Sequence, residues 1–207
     1  MKILLTGFKP FVGVEINTSE MLIRDFQQKP LAEEGIEIMA VVIETDYELC
    51  ERQFAEIFLQ FKPDAVLCFG IAGSGREIRL ERFALNLDDE QRYDSSGIVR
   101  HGRAVVESGP DGYWSTLPII EFYERLSEEN IPVSFSNHAG SYLCNHLFYF
   151  SRHLCELTGG ISGFIHLPPL KNQFAGNRPG LGMDFQMMRR AAELMILEVA
   201  GQNMDQD

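Results

Sequence analysis

The chain has 207 residues, of which 45% are hydrophobic, and 30 Asp plus Glu against 18 Lys plus Arg give it a formal net charge of -12. That length supports one substantial core, and no Ser/Gly/Pro-rich or charge-rich stretch divides it as a linker would, so a single domain over residues 1–207 is expected. The acidic balance repels a phosphate backbone and no Lys/Arg cluster offsets it, which argues against nucleic acid and anionic membrane as partners.

In chain order, Lys2–Thr6 reads as a strand, Thr18–Gln27 as a helix, Ile36–Ile43 as a strand, Tyr47–Phe61 as a helix and Ala65–Phe69 as a strand. Glu77–Pro110 interrupts the alternation with many charged residues and glycines; it reads as a strand or hairpin followed by a long irregular excursion, the kind of loop that often carries function. Ser115–Glu129, Gly140–Leu157 and Met183–Val199 have helical period, and Pro132–Ser136 and Ser162–His166 read as strands between them. The order predicts an α/β fold, a mostly parallel twisted sheet with helices on both faces. The apolar run after Met1 is too short for a secretory h-region, and no segment approaches the ~20 apolar residues of a membrane span, so a cytoplasmic protein is expected.

Cys50, Cys68, Cys144 and Cys155 form no C-x-x-C pair, which fits reduced thiols better than disulfides or zinc. Cys144 differs from the rest by its setting. Ser136-Asn137-His138-Ala139-Gly140-Ser141-Tyr142-Leu143-Cys144-Asn145 runs from a strand end through a small-residue turn into a helix, with Leu143, Leu147, Phe150 and Leu154 as its buried stripe. A thiol in a first helical turn meets the positive end of the dipole and unpaired N–H groups, which favour a thiolate and can hold an oxyanion. The other cysteines fit the role of small core hydrophobes.

A cysteine nucleophile needs a base. His166 has the best setting, at the end of a strand just before Leu167-Pro168-Pro169, since catalytic groups in open α/β sheets gather at the carboxyl ends of strands. His138, in the turn before the Cys144 helix, is the competing base. His146 and His153 share a helix face without further ligands at metal-binding spacing, and read as helix-surface or packing residues. Glu81, in Arg79-Leu80-Glu81-Arg82-Phe83, is a carboxylate suited to orient an imidazole, or equally a salt-bridge partner of Arg79 or Arg82. Gly70-Ile71-Ala72-Gly73-Ser74-Gly75-Arg76 lacks the third glycine of a dinucleotide fingerprint and the Gly-Lys-Ser/Thr of a P-loop, so it argues against a nucleotide site.

Taken together, Thr6-Gly7-Phe8-Lys9-Pro10-Phe11, Glu81-Arg82-Phe83-Ala84-Leu85-Asn86, Ser115-Thr116-Leu117-Pro118, Ser136 through Asn145, and Gly163-Phe164-Ile165-His166 stand in the order and spacing of the pyroglutamyl peptidase (pyrrolidone carboxyl peptidase) family, which the chain resembles along nearly its whole length. The resemblance implies a cysteine omega peptidase with Cys144 as nucleophile, His166 as general base and then acid, and Glu81 orienting the imidazole. It implies N-terminally pyroglutamylated peptides as substrates, no metal or organic cofactor, and a homodimer or homotetramer. It also implies an apolar pocket for the lactam ring walled by Phe8, Phe11, Tyr142 and Leu143, with Asn17 as a polar binding residue and Ile71 where some members have Gln. His138 replaces a small residue of the family, and Gln91-Arg92-Tyr93-Asp94-Ser95 shifts the family's loop arginine by one position. Two other readings use the same residues: a Cys144-His166-Glu81 hydrolase of a different amide or lactam, and a catalytically weak protein that binds 5-oxoproline-like ligands.

Overall fold

The computed structural model describes residues 1–11, 13–171, 173 and 181–202. Its elements in chain order are β1 (Lys2–Phe8), α1 (Thr18–Gln28), β2 (Glu37–Ile43), α2 (Tyr47–Phe61), β3 (Ala65–Ile71), β4 (Ile78–Leu85), β5 (Gly112–Trp114), α3 (Ile119–Glu128), β6 (Val133–His138), α4 (Leu143–Thr158), β7 (Ile161–Leu167) and α5 (Phe185–Gln202).

One mixed sheet takes the strands in the order β2-β1-β3-β7-β4-β5, and β6 pairs with β4. The pairings β1–β2, β1–β3, β3–β7 and β4–β6 are parallel, whereas β4 runs antiparallel to β7 and β5. This is the mostly parallel α/β sheet with helices on both faces that the sequence predicts. Strand alternation sorts the core: Ile3, Leu5, Ala65, Leu67 and Phe69 point to the layer of α1, α3 and α5, while Leu4, Val66 and Cys68 point to α2 and α4.

Several element bounds shift for local reasons. The helix expected from Ser115 begins only at Ile119, after Pro118, because the Ser115 N–H donates to the Arg82 carbonyl (2.8 Å) and the Thr116 N–H to Ser162 (3.0 Å), extending the sheet instead. The helix expected from Gly140 begins at Leu143, since Gly140 has φ +88°, outside the helical region. Within α4 the burial is wider than the expected stripe: Leu147, Phe148, Tyr149 and Cys155 are fully buried, while Phe150 and Leu154 are only partly so. The helix is covered by the sheet on one side and by α2 on another, so it is apolar on more than one face. Gly159 ends it in the left-handed conformation, its N–H donating to the Cys155 carbonyl.

The strands β1, β3 and β7 all end at the same edge of the sheet, where α4 begins. β4, running the other way beside β7, begins at that edge, with Arg79 opposite His166.

Candidate active site

Cys144 is the second residue of α4, and its N-cap, Tyr142, makes no side-chain capping bond. First-turn N–H groups have no partner within their own helix, which makes them donors for an incoming anion. Cys144 is half-buried, whereas Cys50, Cys68 and Cys155 are buried. Burial pushes the Cys68 thiol up to about 12, the Cys155 thiol to about 11, and the Cys50 thiol well above its ordinary range. Those three are packing groups, as expected.

His166 lies one residue before the end of β7 and is 8% exposed. Its Nδ1 is 2.7 Å from Glu81 Oε1, and Glu81 is 1% exposed. An ionised carboxylate only accepts, so Nδ1 carries the proton of this bond and Nε2 is left for the sulfur. Cys144 lines the same cavity and interacts electrostatically with this imidazole. Burial alone would depress its pKa, but the interactions with Cys144, followed by those with Glu81, outweigh it and push His166 up to about 9. Strand register explains the meeting: Glu81 stands opposite Phe164 and Arg79 opposite His166, so Glu81 reaches His166 as a diagonal neighbour on one face of the sheet.

These three residues line a cavity of about 410 Å³. Phe8, Phe11, Ile71, Tyr142 and Leu143 line it as well, and Arg79, Ser136 and His138 form a polar side on β4 and β6. Phe11 meets the Tyr142 ring edge-on at 6.4 Å. The Tyr142 hydroxyl donates to the Tyr93 carbonyl at 2.9 Å, and the Arg92 guanidinium stacks 4.7 Å over its ring. Asn17 is not among the lining residues. Its side chain caps α1 by accepting from the Ser19 N–H (3.0 Å) and donates to the Lys9 carbonyl (3.1 Å), so it holds the segment carrying Phe8 and Phe11. His138, the competing base, also lines the cavity, but its Nδ1 accepts from the Gly140 N–H at 3.1 Å; the imidazole paired with Glu81 is that of His166.

The pyroglutamyl peptidase family model matches residues 1–202 of this chain. The chain belongs to the pyroglutamyl peptidase family. It is a cysteine peptidase by that membership. It is 37% identical over 204 residues to a pyrrolidone-carboxylate peptidase of Bacillus mycoides, covering 96% of this chain and 92% of that one. A pyrrolidone-carboxylate peptidase of Coprothermobacter proteolyticus is 35% identical over 202 residues, covering 96% and 97%. Among solved structures, a mutant pyrrolidone carboxyl peptidase from Pyrococcus furiosus superposes with a TM-score of 0.92 at 29% identity, covering 98% of this chain and 99% of that one. Pyroglutamyl peptidase I of Bacillus amyloliquefaciens gives 0.90 at 29% identity, with 97% of each chain covered.

In this family member the residues after Cys144 anchor α4. The Asn145 side chain accepts from the Leu85 N–H (2.9 Å) and donates to the carbonyls of Leu85 (2.9 Å) and Leu87 (3.0 Å), tying α4 to the end of β4. His146, expected at a helix surface or in packing, is fully buried in an ionic cluster. Its Nδ1 lies 2.9 Å from Asp88 Oδ2 and its Nε2 3.1 Å from Glu51 Oε1, while Arg100 reaches the same Asp88 oxygen at 2.8 Å. Burial depresses His146, yet Asp88 and Glu51 outweigh it and raise its pKa. His153 is apart from this cluster, with Nδ1 2.9 Å from the Tyr113 hydroxyl.

The excursion after β4 is therefore a built wall. Asp89 and Ser141 exchange two bonds, the Asp89 N–H donating to the Ser141 carbonyl (3.0 Å) and the Ser141 hydroxyl to the Asp89 carbonyl (2.6 Å). Asp94 accepts from the N–H groups of Ser96 (3.0 Å), Ile98 (2.7 Å) and Tyr47 (3.2 Å), pinning the loop to the start of α2. Sequence reasoning missed Gly70 as a site residue. A Cβ there would lie 3.0 Å from Cys144 Sγ and 2.7 Å from the Phe164 ring. The available signal was a glycine inside an apolar strand, which marks a close approach.

Proposed function

We propose that the chain hydrolyses the amide bond following an N-terminal pyroglutamyl (5-oxoprolyl) residue, with Cys144 as nucleophile, His166 as general base and then acid, and Glu81 orienting the imidazole. The observation that carries this reading is the sequence of contacts from Glu81 to His166 to Cys144 in a cavity with aromatic and aliphatic walls. The names of the curated relatives and solved neighbours point the same way.

The Cys144 thiol gives its proton to His166 Nε2 and its sulfur attacks the acyl carbon, while the carbonyl electron pair moves onto oxygen, where the first-turn N–H groups of α4 supply donors. Collapse breaks the C–N bond as His166 Nε2 delivers its proton to the departing amine, leaving a thioester. His166 then takes a proton from water, the resulting oxygen nucleophile attacks the thioester, and the C–S bond breaks to release pyroglutamate. A flat, uncharged lactam suits the walls of Phe8, Phe11 and Tyr142. An ordinary N-terminus brings an ammonium instead, and the two carboxylates that line the cavity among the described residues are engaged, Glu81 with His166 (2.7 Å) and Glu90 with Arg92 (2.7 Å).

The test is release of a chromogenic amine from pyroglutamyl and prolyl anilides, with and without a thiol-alkylating reagent. Thiol-sensitive cleavage of the pyroglutamyl compound alone is expected; no cleavage of it sinks the proposal. A homodimer or homotetramer and a cytoplasmic location belong to the same proposal, supported by the family resemblance, and light scattering on purified protein tests the assembly.

A further inference from the structure

The charged side chains around the cavity do not all cancel. Glu81 is engaged by His166 at 2.7 Å and Glu90 by Arg92 at 2.7 Å, which leaves Arg79 lining the cavity with no ion pair among the described residues. Its guanidinium is nonetheless held in place. Arg79 Nη2 donates to the Ser74 carbonyl at 3.0 Å, and Gly75, at φ +131°, lacks the Cβ that would lie 3.1 Å from the same nitrogen. The loop after β3 thus seats one edge of the guanidinium, and a guanidinium has five N–H donors in a fixed fork matched to a carboxylate.

Position says which part of a substrate meets it. Arg79 stands opposite His166 across the β4–β7 junction. His166 is the group that protonates the departing amine, so the departing peptide leaves the cavity on the side of Arg79, away from the apolar wall of Phe8 and Phe11. His138 lines the same polar side; its Nδ1 accepts from the Gly140 N–H at 3.1 Å, so the neutral ring carries its proton on Nε2 as a further donor.

We infer that Arg79 is a specificity-determining residue that binds a carboxylate in the departing peptide, so that pyroglutamyl substrates with a carboxylate on the next residue are preferred. The inference rests on the proposed hydrolysis at Cys144. The carboxylate has two sources: the side chain of Glu or Asp as the next residue, or the free α-carboxylate of a pyroglutamyl dipeptide.

Binding separates the inference from the reading beneath it. Calorimetric titration of the Cys144→Ala protein, which cannot turn substrate over, with pyroglutamyl-Glu amide against pyroglutamyl-Gln amide tests the side-chain source. Pyroglutamyl-Ala against its amide tests the α-carboxylate. One pair is expected to show about tenfold tighter binding of the carboxylate, the scale of one charge-assisted hydrogen bond pair. In Cys144→Ala with Arg79→Gln that ratio falls to about one, and with Arg79→Lys part of it returns, because a point charge remains without the fork. Equal affinity within both pairs, a ratio that survives Arg79→Gln, or no binding of any of the four compounds overturns the inference. Turnover of a pyroglutamyl anilide by the unsubstituted enzyme judges the hydrolase reading separately. Cleavage without charge selectivity defeats the inference alone, whereas charge-selective binding without cleavage defeats the hydrolase reading alone.

Discussion

His166 meets Glu81 diagonally across the antiparallel junction of β7 and β4, Nδ1 to Oε1 2.7 Å, although 85 residues separate them in the chain. Glu81→Gln keeps the size of the side chain and removes its charge, so the imidazole loses both a fixed orientation and part of what holds its proton. A fall in kcat of roughly 100-fold is expected, within the range of a mis-set general acid or base. The alkaline limit of kcat/KM should also move to lower pH, and a full pH profile checks it. An unmoved limit would separate Glu81 from the imidazole's titration.

The same pair has a stability signature with a definite sign. His166 is raised from 6.5 to about 9, so the folded chain holds this proton more tightly than the unfolded chain does. The stabilisation is complete below the unfolded value and is lost as pH rises from there through about 9. Because the Cys144 charge heads the causes that raise it, Cys144→Ala should lower the His166 titration midpoint, read from the imidazole resonances by NMR. An unchanged midpoint would show that sulfur and imidazole are not coupled.

Thiol accessibility gives a count. Of the four cysteines, only Cys144 is not fully buried, and the other thiols are pushed up by burial. Iodoacetamide on native protein is expected to add one label per chain, at Cys144, with loss of activity; denatured protein should take four. Native labelling at Cys68 with activity retained would redirect the nucleophile assignment.

Gly70→Ala tests the close approach beneath Cys144. The new methyl would press on the Phe164 ring and on Cys144 Sγ, at 2.7 and 3.0 Å before relaxation. Overpacking of this kind costs about 1–3 kcal/mol, and a sulfur displaced by a fraction of an ångström should lower kcat more than it raises KM. Denaturant midpoints and steady-state kinetics together check this; unaltered kcat would mean that the ring alone absorbs the strain.

Asp88 is fully buried between His146 and Arg100. Asp88→Ala takes from the buried His146 and the partly buried Arg100 one of the two carboxylates they share, leaving Glu51 at 3.1 and 3.6 Å, so the loss falls toward the low end of the about 3–5 kcal/mol that follows removal of one member of a buried pair. Urea denaturation should show the loss in the midpoint with little change of slope. His146 is raised by the same cluster, so its contribution is present at low pH and is lost as pH climbs above its ordinary value; in Asp88→Ala that dependence should weaken.

The alternation of apolar runs determined the α/β fold, because burying both faces of a parallel sheet leaves a period that needs no tertiary knowledge to read. The small-residue turn before a helix likewise singled out Cys144, and Pro168 after Leu167 marked where the strand carrying His166 stops. Whether Glu81 met His166, Arg79 or Arg82 was undecided by spacing. Only the register of β4 against β7 decided it, since pairing across strands depends on which residues face each other and on no local pattern. Asn17 shows the same limit: the family resemblance implies a ligand contact, but the open start of α1 claims its side chain as a cap. His146 read as a packing or surface residue because its partners Asp88 and Glu51 lie on other segments. Arg79 looked like one charge among many; it stands out only after folding has paired Glu81 with His166 and Glu90 with Arg92, because a charge is free or compensated according to what the fold sets beside it.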